Sequence, residues 1–245
     1  MSGARRKRKE VLARRLSAAL VMLFFAGMGV AGVLGVRYLT DPARLPLRTI
    51  RVEDHFRHLD RAELQRALTA AVDGGFFGVD LEKVRQAALR LPWVAGARVT
   101  RIWPDRLQVE IVEQVPVARW NDGGLVNGNG EVFYPKGGKG LALPLRFRGP
   151  EGKAVQMLAF YRDVQPGFRR RNLEIRELML DRRGEWRLKL DDGVLVVVGR
   201  ARQQYRIERL LAAYAVLGQA GRNLRRIDLR YEQGFAVAWR PEEKG

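Results

Sequence analysis

Between Leu16 and Val36 the chain reads LSAALVMLFFAGMGVAGVLGV, 21 residues without a charge. At about 1.5 Å of helical rise per residue, some 20 apolar residues cross the roughly 30 Å hydrocarbon core of a bilayer. A helix satisfies all its backbone hydrogen bonds internally, as lipid requires. Everything before this stretch and everything after it then belong to different compartments. The flanks set the direction. Arg5, Arg6, Lys7, Arg8, Lys9, Arg14 and Arg15 precede the stretch against one acid, Glu10, whereas Arg37 is the only basic residue between its end and Arg44. Basic flanks stay cytoplasmic, so the tail of residues 1–15 is expected inside and the remaining chain outside, with residues 16–36 as a transmembrane helix. A cleaved signal peptide has a shorter apolar region, about 7–15 residues, and a small-x-small cleavage site. GVRYLTDPARL offers no convincing site of that kind. An uncleaved signal anchor is the better reading, and the length and one-sided charge also disfavour a buried core helix.

The chain beyond the anchor is long enough for one large domain or two small ones. No later stretch approaches 18 apolar residues, so a single pass is expected. The net charge is +18, of which the exported part carries about +11. Such a surface suits an acidic partner or anionic lipid; nucleic acid is a poor candidate outside the cytoplasm. There is no cysteine, and the only serines are Ser2 and Ser17. Disulfides and thiol chemistry are therefore excluded, as is serine-based nucleophilic catalysis in the exported part.

The exported chain opens with turns at Thr40-Asp41-Pro42 and Leu45-Pro46, and then a strand over Leu47–Glu53. Asp60, with Glu63 three residues on, starts a helix whose apolar face is Leu64, Leu68 and Val72 and which Gly74-Gly75 ends. Asp80 caps a second helix with Leu81, Val84, Ala88 and Leu91 on its stripe, stopped by Pro92. Strands are expected over Trp93–Trp103 and Arg106–Glu113, the latter alternating Leu107, Val109 and Ile111 against Arg106, Gln108 and Glu110. Strand, helix, helix, strand, strand is the order of a small α+β domain with two helices on one face of a three-stranded sheet.

Residues 116–240 read as a second, strand-dominated domain in meander order with two helices. Strands are expected over Val117–Trp120, Gly124–Val126, Glu131–Tyr134, Leu173–Leu180, Glu185–Leu190, Val194–Val198, Arg225–Tyr231 and Phe235–Trp239. Asn121-Asp122-Gly123-Gly124, Asn127-Gly128-Asn129-Gly130 and Asp191-Asp192-Gly193 supply turns. Helices are expected over Lys153–Gln165, ended by Pro166-Gly167, and over Gln203–Leu217, where Ile207, Leu210, Leu211, Tyr214 and Leu217 form one stripe. A charged tail, 241–245, closes the chain.

Chemistry-bearing motifs are sparse. His55 and His58, the only histidines, stand as H-x2-H with no third nitrogen or sulfur ligand to complete a metal site, and an exposed loop is the better reading. Gly138-Lys139 is followed by Gly140 and has Phe133 where a P-loop needs glycine. The acids fall mostly in turns or on outer strand faces, as at Glu110, Asp191, Asp192 and Asp228, which argues against a carboxylate-pair glycosidase. The more pointed feature is the C-terminal strand pair, where Tyr231, Phe235 and Trp239 stand near Arg222, Arg225 and Arg230. Large aromatics there either finish the core or arm a sheet edge open to a partner strand. Periodicity alone does not choose between these.

In this order and spacing, Leu91-Pro92-Trp93-Val94, Trp103-Pro104-Asp105-Arg106-Leu107 and Val112-Glu113-Gln114-Val115-Pro116-Val117-Ala118-Arg119-Trp120 carry a family pattern. Gly199-Arg200, Ile227-Asp228-Leu229-Arg230-Tyr231 and Gly234-Phe235-Ala236-Val237-Ala238-Trp239 continue it. The chain resembles the bacterial cell-division family FtsQ/DivIB over nearly all its length. The resemblance implies a POTRA domain (residues 47–115), then the family's β domain (116–240), no catalytic activity, no cofactor and no metal. It implies a scaffold of the divisome in the inner membrane at the septum, joining early division components to septal peptidoglycan synthesis. The expected partners are the small bitopic coiled-coil protein FtsB and its companion FtsL, bound by addition of a strand to the last strand of the β domain. By motif match the partner-binding residues are Arg200, Arg222, Tyr231 and Trp239, with Arg230 and Phe235 in the same segment. An alternative is a POTRA-bearing export or envelope-assembly factor that handles substrate strands, but that class normally carries tandem POTRA repeats and a membrane barrel.

Overall fold

The computed structural model describes residues 3–40, 45–53, 55–220 and 224–240. Helix α1, Gly3–Thr40, carries the basic flank and the apolar stretch in one continuous element. Within it Leu20–Tyr38 is long and apolar enough to cross a membrane, about 28 Å of helix, and every side chain in that span is exposed. A helix apolar on all sides and covered by no other element is suited to lipid rather than to a protein core. The rest of the chain separates into two compact units, divided between Glu113 and Gln114.

In the first unit, β1 (Thr49–Glu53) is followed by α2 (Arg61–Ala71), α3 (Leu81–Leu89), β2 (Val94–Ile102) and β3 (Arg106–Glu113). Both helices start on aspartate caps. Asp60 Oδ1 accepts from Ala62 N at 2.9 Å, and Asp80 Oδ1 accepts from Glu82 N at 2.9 Å and Lys83 N at 3.2 Å. The sheet order is β1-β3-β2, with β1 parallel and β2 antiparallel to β3. Leu107, Val109 and Ile111 of β3 are buried with Leu64 and Leu68 of α2 and Val84 and Ala88 of α3. The period-2 face of the central strand and the helical stripes thus supply one core.

One carboxylate ties this unit together at the end of β3. Glu113 accepts from three successive backbone donors, Arg57 N at 2.8 Å and His58 N and Leu59 N at 2.7 Å each. The His58 ring stacks on Trp93, centroids 4.7 Å apart. These contacts engage residues 57–59 and the His58 ring of the H-x2-H segment.

The second unit is one nine-stranded sheet. Its strands are β4 (Pro116–Trp120), β5 (Gly124–Asn127), β6 (Val132–Phe133), β7 (Arg146–Arg148), β8 (Ile175–Leu180), β9 (Trp186–Leu190), β10 (Leu195–Gly199), β11 (Leu224–Asp228) and β12 (Ala236–Trp239). Helix α4 (Ala154–Arg169) lies between β7 and β8 in sequence, and α5 (Gln203–Ala220) between β10 and β11. The spatial order is β12-β11-β10-β9-β8-β7-β4-β5-β6. Trp120, Phe147, Met157, Phe168, Leu178, Leu188 and Leu210 are fully buried in its core.

Three expectations are corrected here. The sheet is not a meander: β4/β7, β7/β8 and β10/β11 pair in parallel. Parallel neighbours need a crossover, and α4 and α5 supply two of them, so the helices belong to the sheet's connectivity. Strand β7, only three residues and flanked by Pro144 and Gly149-Pro150, was not expected, yet Phe147 within it is fully buried. Finally, α4 does not end before Pro166 but runs on to Arg169. A proline inside a helix costs about 3 kcal/mol. Full burial of Phe168, worth about 1.5–3 kcal/mol, offsets most of this. Gly167 lets the turn approach α5, since a Cβ there would stand 2.5 Å from Leu211 Cδ1. Gln165 Oε1 accepts from Ile175 N at 3.0 Å, fastening the same turn to the start of β8.

Burial pushes the Glu113 carboxyl up, but its three backbone donors together outweigh this and hold it below the ordinary value of 4.5. Because the folded pKa is depressed, the stabilisation is fully present above the unfolded value and is lost as pH falls through the folded one. Glu113→Gln should therefore lower the stability of the first unit at pH 7 by about 1.5 kcal/mol or more. It should also flatten the loss of stability on the acid side, both read by urea unfolding at a series of pH values.

Candidate functional site

The C-terminal end of the sheet is built by α5, β11 and β12. Strand β11 runs parallel to β10, and β12 folds back antiparallel on β11, with Asp228 opposite Ala236 and Leu224 opposite Trp239. Strand β12 is the last in the sheet order, with β11 on one side and no described strand on the other. Along β12 side chains alternate. Phe235 and Val237 are half-buried and pack against the core, and Trp239, on the same face, is 44% exposed where the core runs out. Tyr231, in the turn before β12, is 60% exposed. The aromatics of this segment divide: Phe235 serves the core, whereas Tyr231 and Trp239 stand at the surface.

The arginines divide in the same way. Arg200 follows β10 and is exposed. Gly199 before it has φ of +90°, and a Cβ there would stand 2.5 Å from an Arg206 nitrogen and 3.0 Å from Arg230 Cγ, so glycine is required where these side chains cross. Arg222 lies outside the described residues. Arg230 is not a free cation. Its Nε and Nη2 donate to the two oxygens of Asp228 at 2.9 and 2.7 Å, and its Nη1 reaches Glu185 at 3.2 Å. The Arg230 backbone N–H also donates to Asp228 at 3.2 Å, and Arg226 Nη2 does so at 3.1 Å. Contrary to the outer-face expectation, Asp228 is buried. The Arg230 hydrogen bonds hold its carboxyl below the usual carboxylate range despite that burial.

Two arginines of α5 that sequence reasoning passed over hold the turn that carries Tyr231. Arg209 donates to the carbonyls of Tyr231 at 2.9 Å, Glu232 at 2.7 Å and Gly234 at 2.8 Å. Its guanidinium also lies 5.7 Å from the Tyr205 ring centroid. Arg206 donates to Val198 O at 2.8 Å and Arg230 O at 3.2 Å. In sequence both look like ordinary solvated helix arginines; the only hint is their spacing of three, which puts them on one face of α5. Beyond the edge, Arg240 donates to Asp192 O at 2.9 Å, joining the end of β12 to the β9–β10 turn. What this arrangement can do is present a short strand edge that ends on exposed Trp239, preceded by a turn that carries exposed Tyr231 and whose carbonyls Arg209 holds. Among the described residues there is no group of three or more His, Asp or Glu placed to hold a metal.

A family profile described as cell division protein FtsQ/DivIB, C-terminal, matches residues 118–230, and one described as POTRA domain, FtsQ-type, matches residues 45–114. A cell division protein FtsQ of Allochromatium vinosum is 40% identical over 228 residues, covering 93% of this chain and 90% of the relative. Those of Burkholderia pseudomallei and Vibrio cholerae are 34% and 32% identical, over 91% and 85% of this chain and 92% and 81% of the relatives. The chain belongs to the FtsQ/DivIB family of cell-division proteins. Its first unit is the family's POTRA domain and its second the family's C-terminal domain, an α+β architecture behind a membrane-capable N-terminal helix.

Arg209→Lys keeps the charge but loses the planar fork that reaches several carbonyls at once. Hydrogen bonds to charged groups are worth about 1.5–3 kcal/mol, so backbone amides of residues 231–236 should exchange at least about tenfold faster. The core amides of β9 and β10 should keep their protection. Hydrogen–deuterium exchange of both forms checks this.

Proposed function

We propose that this chain is a non-enzymatic, bitopic scaffold of the divisome in the inner membrane at the septum, linking early division proteins to septal peptidoglycan synthesis. Its cytoplasmic part is the tail of residues 1–15, its span residues 16–36, and its periplasmic parts the POTRA domain (47–115) and β domain (116–240), with 241–245 as a charged tail. The partners are FtsB and FtsL, and the contact is a partner strand added to β12. One observation supports the reading: β12 ends a nine-stranded sheet, and the residues that match the family's partner-binding aromatics are exposed, Trp239 at the end of β12 and Tyr231 in the turn before it. Strand addition supplies backbone hydrogen bonds, and large aromatics supply most of the side-chain energy at such contacts.

The other partner-binding residues take distinct parts. Arg200, just after β10 and two strands in from the edge, is an exposed cation suited to a partner carboxylate. Arg230, already bound to Asp228 and Glu185, would share its half-exposed guanidinium with an incoming acid. Phe235 supports the strand from the core side. Arg222 is assigned on the motif alone.

Tyr231→Ala and Trp239→Ala should each weaken binding of an FtsB-like partner by about 2 kcal/mol or more, with circular dichroism and melting temperature close to the parent. Unchanged affinity of either variant in a purified binding assay would remove that residue from the site. A compartment-sensitive reporter fused after Gly245 should be active only in the periplasm; cytoplasmic activity would reverse the assigned orientation.

A further inference from the structure

Three large apolar side chains stand exposed at one end of the first unit, away from its core and unused by the partner edge. Trp103 is 76% exposed, Phe77 47% and Ile102 40%. Ile102 ends β2, and Trp103 opens the turn to β3. Phe77 belongs to the α2–α3 loop, and hydrogen bonds bring that loop to the same end. Arg101 of β2 donates to the carbonyls of Phe76 and Val79, and Phe76 N donates to Leu45 O. The start of β1 is fastened there too, with Arg48 N donating to Asp105 O at 2.9 Å.

This is also the end at which the chain arrives from the apolar helix. Helix α1 ends at Thr40, and Arg48 follows eight residues later. Eight residues reach at most about 28 Å when fully extended, so Arg48, hydrogen-bonded to the β2–β3 turn, is tethered within that distance of the end of α1. Arg48 and Arg106 flank the turn with well-exposed side chains, and each faces the one carboxylate of Asp105, at 3.9 and 3.6 Å. Arg51, further along β1, is exposed as well, and Arg101, also exposed, has its guanidinium engaged by the carbonyls of Phe76 and Val79. Cations therefore outnumber acids around the turn. Apolar residues scattered singly on a surface are ordinary. Three gathered at the tethered end, one of them a tryptophan and rimmed by arginines, have the composition of a group that sits at a membrane–water interface.

We propose that this end of the POTRA domain, through Phe77, Ile102 and Trp103 with Arg48 and Arg106, rests on the outer surface of the membrane and binds anionic lipid headgroups. A protein could bind the same patch, but the tether holds a bilayer within reach at all times, and the mixed apolar and cationic chemistry fits a charged lipid surface. The proposal goes beyond partner recognition at β12 and rests on α1 spanning the membrane.

The chain contains no cysteine, so single cysteines report position without background. The full chain is reconstituted in phosphatidylcholine vesicles with and without about one third phosphatidylglycerol, to vary the surface potential. A nitroxide is placed on Ile102→Cys, or on Ala95→Cys, an exposed position about 23 Å back along β2. The readout is the collision ratio of lipid-soluble oxygen to a water-soluble nickel chelate. In anionic vesicles the ratio at position 102 should exceed that at 95 by at least about threefold, and it should fall to the level of 95 at high salt. The same fall is expected with Arg48→Gln and Arg106→Gln together, or with Trp103→Ala. Equal ratios at 102 and 95 in anionic vesicles overturn the proposal. So does a label at 102 that stays aqueous in pure lipid and becomes shielded only when membrane proteins are added, which would mark a protein-docking patch. A label on Ala31→Cys that is water-accessible also overturns it, through the membrane span on which it rests, and that label alone separates this failure from the others.

Discussion

The parallel pairing of β10 with β11 is what places the end of this chain at the edge of its sheet. A parallel pair cannot be closed by a hairpin, so α5 must carry the chain back across the sheet before β11 can form. One hairpin then remains, and its outer strand, β12, has no further described strand to cover it. Had β11 followed β10 through a tight turn, the chain would have lacked the helix from which Arg206 and Arg209 reach the β11–β12 turn. The crossover thus makes the edge and supplies the residues that hold it.

Arginine does different work at neighbouring positions here, and exposure separates the uses. Asp228 is buried under the edge and would be costly to leave unpaired; Arg226 and Arg230 neutralise it with hydrogen bonds to both oxygens. Arg209 pairs with no acid among the described residues but satisfies backbone carbonyls of a turn that lacks regular strand pairing. Only Arg200, among the motif arginines described, is exposed without such duties in the hydrogen bonds seen around the edge. A count of basic residues near the C-terminus therefore overstates the charge that an incoming partner meets.

The first unit was largely legible in its sequence because its signals are local. Asp60 and Asp80 cap where they should, and the alternation of Leu107, Val109 and Ile111 names the buried face of β3 directly. The second unit was less legible because its deciding features are not local. Phe147 is central to the sheet, yet β7 is too short to show a period. Pro166 reads as a stop, and only tertiary burial of Phe168 carries α4 past it. The parallel pairings depend on which strand each helix returns to, which no stretch of residues states. At the proposed site, the motif singled out Tyr231 and Trp239, and both side chains are exposed. Arg209 was not legible, since an arginine on a helix looks the same whether it meets water or a neighbouring turn.

A four-residue edge is weak by itself, and this bears on how such a protein must work. A partner strand along β12 would gain two or three backbone hydrogen bonds, each worth about 0.5–1.5 kcal/mol net. Association loses an estimated 4–15 kcal/mol of translational and rotational freedom, so the edge alone would not hold a partner in solution. Two exposed aromatics worth about 2 kcal/mol or more each bring the sum near balance rather than far beyond it. If α1 and a helix of the partner lie in one membrane, as proposed, confinement supplies the remaining contribution, reducing the search to a surface and raising effective concentration without any new contact. A short edge with small side chains at Ala236 and Ala238 is also less open to indiscriminate strand pairing than a long apolar one. On that proposal, weak intrinsic pairing strengthened only for partners in the same membrane would let an open edge be selective.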